Sequence, residues 1–119
     1  MAQKTILLVD DEVIVVTVIT RLLEMQGHIV IPTTRASLAI STFAQMHDII
    51  DIAFIDWHIP DMDGVALARA MREIRDNIFI GLITGAAIAE LPAETYQYVN
   101  QVFLKPIDSV QLMQIVNYG

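Results

Sequence analysis

The chain has 119 residues, 55% of them hydrophobic and only 18% charged, with a formal net charge of −7. That balance is too apolar for a disordered tail, too acidic for direct binding to nucleic acid or anionic lipid, and about right for one domain over residues 1–119. The absence of cysteine excludes disulfides, thiolate metal sites and thiol nucleophiles.

The uncharged runs at residues 13–20 and 78–89 are too short, or too rich in turn residues, to cross a bilayer. Met1 to Thr5 lead into a four-residue apolar run without the core and cleavage site of a secretory signal, so the expected location is the cytoplasm.

In chain order, Ile6-Leu7-Leu8-Val9 has the unbroken apolar character of a strand buried on both faces of a parallel sheet. The next run, Val13 to Thr20, is β-branched throughout, and propensity alone would make it a strand. Its context predicts a helix over residues 13–23 instead. Asp10, Asp11 and Glu12 suit a helix N-terminus, Val15, Ile19 and Leu22 fall on one face, and Gly27 stands where a C-terminal cap belongs. A second strand follows at residues 28–31. Ala36, Ile40, Phe43 and His47 then lie at helical spacing behind Thr33 and Thr34, two candidate caps.

The run at residues 49–55 predicts a third strand ending in Asp56, and Leu67, Met71 and Ile74 mark the inner face of a helix after the loop 57–63. A fourth strand at 78–83 ends in Thr84-Gly85. Pro92 suits the first turn of a short helix reaching about Tyr98. The fifth strand, 102–104, ends in Lys105-Pro106, before a capping-box-like Asp108-Ser109-Val110-Gln111 and a last helix with Leu112, Ile115 and Val116 inward. The sequence has no linker, repeat or low-complexity segment.

Strands alternating with helices predict an α/β fold, a single doubly wound five-stranded parallel sheet with helices on both faces and ligands at the carboxyl ends of the strands. Those ends carry Asp10, Asp11, Asp56, Thr84 and Lys105. Three clustered carboxylates repel unless a cation neutralises them or they share protons, and oxygen ligands of this kind suit Mg2+ or Mn2+. Magnesium takes few carboxylates, keeps waters and completes its octahedron with phosphate oxygens, so the set fits phosphoryl chemistry. A Lys ammonium and a Thr hydroxyl complete what that transfer needs, and a carboxylate can itself accept the group as an acyl phosphate, for which the central Asp56 is the candidate.

Leu8-Val9-Asp10-Asp11-Glu12, Asp56-Trp57-His58-Ile59-Pro60-Asp61-Met62-Asp63-Gly64, Thr84-Gly85-Ala86 and Lys105-Pro106, in that order and each at the end of a predicted strand, resemble the receiver domains of two-component response regulators. The resemblance covers essentially the whole chain. It implies a flavodoxin-like sheet of strand order 2-1-3-4-5, with Asp56 as phosphoacceptor and Thr84 and Lys105 on the phosphoryl oxygens. Mg2+ would be held by Asp11, Asp56 and the His58 carbonyl, with Asp10 acting mainly through water. It further implies a sensor histidine kinase or phosphotransfer protein as donor and a downstream effector as output, with a homodimer through the fourth helix, fifth strand and fifth helix as another expectation. Catalysis would be confined to the domain's own phosphorylation and dephosphorylation. In that family the Lys-Pro bond is commonly cis, and the residue at the place of His58 influences how fast the phosphoryl group is lost.

One position departs from the pattern. Receivers usually carry Tyr or Phe three residues before the Lys, where this chain has Val102. Phe103, one residue later, must point to the opposite face of its strand. The expected switch therefore moves Thr84 toward the phosphoryl group and relays the change through Val102 packing and Tyr96 or Tyr98.

Taken singly, Asp10-Asp11 is a helix cap, Thr84-Gly85 a turn and Lys105-Pro106 a strand exit. His28, His47 and His58 are too dispersed for a histidine metal site, Trp57 reads as a rim residue, and the six methionines as filler.

Three rival functions remain: a Mg2+-dependent phosphatase with an Asp nucleophile, a nucleotide or flavin module, and a degenerate receiver acting only as a protein-binding module. The phosphatase would need a second acid where His58 stands, and a cap domain. The nucleotide or flavin module would need a phosphate-cradling loop where Asp10-Asp11-Glu12 would repel it.

Overall fold

The computed structural model describes residues 2–118; Met1 and Gly119, which the sequence reading used only as chain ends, lie outside them. Five parallel strands form the central sheet: β1 (Thr5–Val9), β2 (Ile29–Thr33), β3 (Ile52–Asp56), β4 (Phe79–Thr84) and β5 (Gln101–Leu104). Their spatial order is β2-β1-β3-β4-β5, the predicted 2-1-3-4-5 arrangement, with register pairs such as Leu8 beside Phe54 and Asp56 beside Ile83. Pro32, which lacks a ladder N–H, falls on the edge strand β2, where that loss is tolerated.

Among the described residues, five α-helices cover the two faces: α1 (Val13–Met25), α2 (Ala36–Met46), α3 (Gly64–Ile74), the single turn α4 (Thr95–Tyr98) and α5 (Ser109–Tyr118). Alternation along the strands splits the core in two. Leu7, Val9, Ala53, Ile55, Ile80 and Leu82 face α2 and α3 residues such as Phe43, Leu67 and Met71. Ile6, Leu8, Ile52, Phe54, Ile83 and Phe103 face Ile19 and Leu23 of α1 and Leu112 and Val116 of α5. Burying two opposite faces is why the strands read as continuous apolar runs.

The β-branched run is helical, as its context predicts: a stripe including Ile19 and Leu23 enters the core, and that burial outweighs weak propensity. Gly27, at φ 87°, ends α1 in a Schellman turn in which its N–H donates to the Glu24 carbonyl and that of His28 to the Leu23 carbonyl.

Three expectations are corrected. Neither Thr33 nor Thr34 caps α2; Thr33 belongs to β2 and its hydroxyl donates to the Leu8 carbonyl at 3.3 Å. The cap comes from Asp61, distant in sequence, whose carboxylate accepts from the N–H groups of Ala36 at 2.8 Å and Ser37 at 3.0 Å. Pro92 opens no helix: a 3₁₀ turn over Ile88–Glu90 comes first, and α4 proper is only the four residues Thr95–Tyr98. Last, the loop 57–63 is partly ordered as a short antiparallel ladder, His58–Ile59 against Met62–Asp63. No helix among the described residues is long and apolar enough to cross a membrane.

Candidate functional site

The parallel sheet delivers the expected residues to one edge. Asp10 and Asp11 follow β1, Asp56 is the last residue of β3, Thr84 the last of β4, and Lys105 follows β5. Carboxylate oxygens of Asp10, Asp11 and Asp56 lie within 4.8 Å of one another. Asp11, Glu12, Asp56, His58, Gly85, Ala86 and Lys105 line a cleft of about 480 Å³ above them.

Lys105 Nζ supplies the local positive charge. It lies 2.8 Å from Glu12 Oε1, 3.3 Å from Asp56 Oδ2 and 3.6 Å from Asp10 Oδ2. Burial alone would lower the lysine pKa, but the Glu12 hydrogen bond and the charges of Asp56 and Asp10 more than reverse it, so the ammonium form is secure. One lysine cannot neutralise three acids. Burial, reinforced by the charge of Asp56, pushes the Asp10 carboxyl up to about 6. Burial raises Asp56 as well, against the pull of Lys105. Asp10 Oδ1 accepts from the Glu12 N–H at 2.8 Å, whereas Asp10 Oδ2 is buried without a hydrogen-bond partner. An unpartnered buried carboxylate oxygen beside two further carboxylates is a donor set fit for a hard divalent cation.

The loop after β3 is fixed by its own side chains. Asp63 caps α3, accepting from the Val65 and Ala66 N–H groups, and its other oxygen takes the Trp57 indole N–H at 2.7 Å. The Trp57 ring packs on His58, centroids 4.5 Å apart. Gly64 is obligatory for space, because a Cβ there would collide with the Asp56 carbonyl oxygen and meet Trp57 Cα at 2.8 Å.

The chain matches the family model described as "Response regulator receiver domain" over residues 6–117. It belongs to that family. Among solved structures, the receiver resembles a receiver domain protein of Clostridium thermocellum with a TM-score of 0.89 at 22% identity, over 96% of this chain and 91% of the other. A CheY-like receiver from Methylobacillus flagellatus matches with a TM-score of 0.86 at 24% identity, over 98% of both chains. A Borrelia burgdorferi CheX-CheY-BeF3-Mg2+ complex matches with a TM-score of 0.85 at 24% identity, over 93% of this chain and 84% of that one. No curated protein sequence matches significantly.

In this receiver, Asp10, Asp11, Asp56 and Lys105 come together as the sequence implied, and His58 stands at the cleft with an exposed side chain. The Lys105-Pro106 bond is cis. Thr84 is on the right strand end but fully buried, and its Oγ1 accepts from the Ala86 N–H at 2.9 Å, which ties it to the turn behind the cleft.

Phe103 packs edge-on against Phe54 in the α1–α5 half of the core, centroids 5.6 Å apart, while Val102 packs against the other half, as does Tyr98; Tyr96 is exposed.

Sequence reasoning missed Glu12 as the shortest partner of Lys105, Asp61 as the cap of α2, and the Asp63–Trp57 clasp. Acids next to conspicuous motif acids were the only signal.

Proposed function

We propose that this receiver accepts a phosphoryl group on Asp56 from the phosphohistidine of a sensor histidine kinase or phosphotransfer protein, with Mg2+ required and Mn2+ an acceptable substitute. The observation that carries this reading is Asp56 itself: a buried strand-end carboxylate at the base of an open cleft, 3.3 Å from a lysine ammonium and clustered with two further acids. The CheX-CheY-BeF3-Mg2+ complex of the Borrelia neighbour holds, in that protein, a metal together with a beryllium fluoride.

In the transfer, an Asp56 carboxylate oxygen bonds to phosphorus as the phosphorus–nitrogen bond to the donor imidazole breaks, and the imidazole leaves with the electron pair and takes up a proton. Lys105 holds Asp56 in place and then draws to the phosphoryl oxygens as their charge becomes the nearest anion. The Thr84 hydroxyl, whose proton is free while its oxygen accepts from Ala86, turns to donate to the same oxygens. Asp11, Asp56 and the His58 carbonyl would hold the cation, with Asp10 behind them through water. When bound, Mg2+ supplies charge neutralisation and coordination for the transferring group.

Turnover is confined to this self-modification and its reversal by water. The surface switched is that of α4, β5 and α5, where an effector or a second copy of the chain would dock.

Intact mass after incubation with acetyl phosphate and Mg2+ tests the reading. One added phosphoryl group is expected, lost on chelation and in Asp56→Asn. No gain, with Mg2+ still bound, would point to a module that signals by contact alone.

A further inference from the structure

Glu12 occupies an unusual place for its residue type. It is the N-cap of α1, a position where short side chains normally turn back onto the helix, yet its carboxylate makes no capping bond. Its backbone is pinned at both ends, the N–H by Asp10 Oδ1 at 2.8 Å and the carbonyl by the Val16 N–H at 3.0 Å. That anchoring sends the side chain across the cleft, where Oε1 meets Lys105 Nζ at 2.8 Å, closer than either buried acid.

Lys105 is thus divided. Asp56 shares it from inside the site and Glu12 from the rim, where the Glu12 side chain is 58% exposed. A lysine held only by Asp56 would lie wholly inside the site, where the transferring oxygens arrive. A lysine held only by the rim would be too far out to meet the phosphoryl group.

We propose that Glu12 is a positioning residue acting through Lys105: it holds the ammonium partly off Asp56 before transfer and releases it to the phosphoryl oxygens afterwards. The proposal rests on the phosphoacceptor reading of Asp56 and deepens it. Because Glu12 competes with the phosphoryl group for one cation, its removal favours the phosphorylated side.

A double-mutant cycle on the full chain separates this role from simple repulsion of an incoming anion. Phosphorylation rates with acetyl phosphate and saturating Mg2+ would be measured for wild type, Glu12→Gln, Lys105→Ala and the double variant. Glu12→Gln is expected to speed the reaction about threefold, the scale of one partly exposed ion pair, and to do so only when Lys105 is present. An equal effect in both backgrounds, or none in either, overturns the proposal while leaving the phosphoacceptor reading intact. A wild type that takes up no phosphoryl group overturns that reading, and the proposal with it.

The same four proteins unfolded in urea without metal or donor read the contact independently. Non-additive effects of the two substitutions are expected, and strict additivity counts against the pairing.

Discussion

Asp10 has one oxygen spent on the Glu12 N–H and the other buried without a hydrogen bond, 3.6 Å from Lys105 Nζ, and burial pushes its carboxyl up to about 6. A folded-state value above the ordinary 3.8 means that the folded protein binds this proton more tightly than the unfolded chain does. In the absence of metal, stability is therefore greatest at the acid end of this window and falls as pH rises from 3.8 through about 6. Asp56 is raised by burial and acts in the same direction. Asp10→Asn keeps an oxygen for the Glu12 N–H and removes the charge. It should stabilise the metal-free protein at pH 7 by on the order of 2 kcal/mol and flatten the pH dependence. Urea unfolding in chelator between pH 4 and pH 8 checks this, and a variant less stable than wild type at pH 7 would contradict it. Asp61 runs the other way: its hydrogen bonds from Ser37 and Ala36 lower its pKa, so the α2 cap weakens as pH falls.

Among the elements, β5 departs from the family habit with Val102 in the usual aromatic place. Phe103 cannot take over, because it is locked edge-on to Phe54 on the far side of the sheet. Val102 and Tyr98 share the other half of the core, and Arg72 of α3 ties that region down with hydrogen bonds to the Tyr98 carbonyl at 2.9 Å and Asn100 Oδ1 at 2.8 Å. Phosphorylation is thus expected to shift the amide resonances of Thr84, Val102 and Tyr98 together. Shifts at Thr84 with Val102 and Tyr98 unmoved would refute the relay.

The same elements show what the sequence could and could not disclose. Val15 and Ile19 betrayed a helix inside a β-branched run because burial repeats with the helical period, although it is Leu23 and not the expected Leu22 that continues the buried stripe. The α2 cap was illegible because its acid arrives from a loop 24 residues away, and caps are normally sought among neighbours. The α4 helix was overdrawn because Pro92 is compatible with a first turn but equally with the break that follows a 3₁₀ turn. The clustering of Asp10, Asp11 and Asp56 with Lys105 was readable because a parallel sheet carries every strand end to one edge. The buried posture of Thr84 was not, since it depends on which local N–H its hydroxyl meets.

For the molecule as a whole, repulsion among three clustered acids and a net charge of −7 are expected to make the metal-free protein the less stable form. A cation that binds only the folded chain adds RT ln(1 + [L]/Kd), about 2.7 kcal/mol at a hundred times Kd. Mg2+ should accordingly raise the urea midpoint of the wild type, and do so much less for Asp11→Asn, which removes one carboxylate of the cluster and leaves the fold measurable without activity. Equal gains in both proteins would place the metal elsewhere.

The most direct test of the central claim is to locate the phosphoryl group. After acetyl phosphate and Mg2+, borohydride reduces an aspartyl phosphate to homoserine, which peptide mass can assign to one position. Homoserine is expected at position 56 alone. Label at Asp10 or Asp11, or at no carboxylate in a protein that has gained a phosphoryl group, would contradict it.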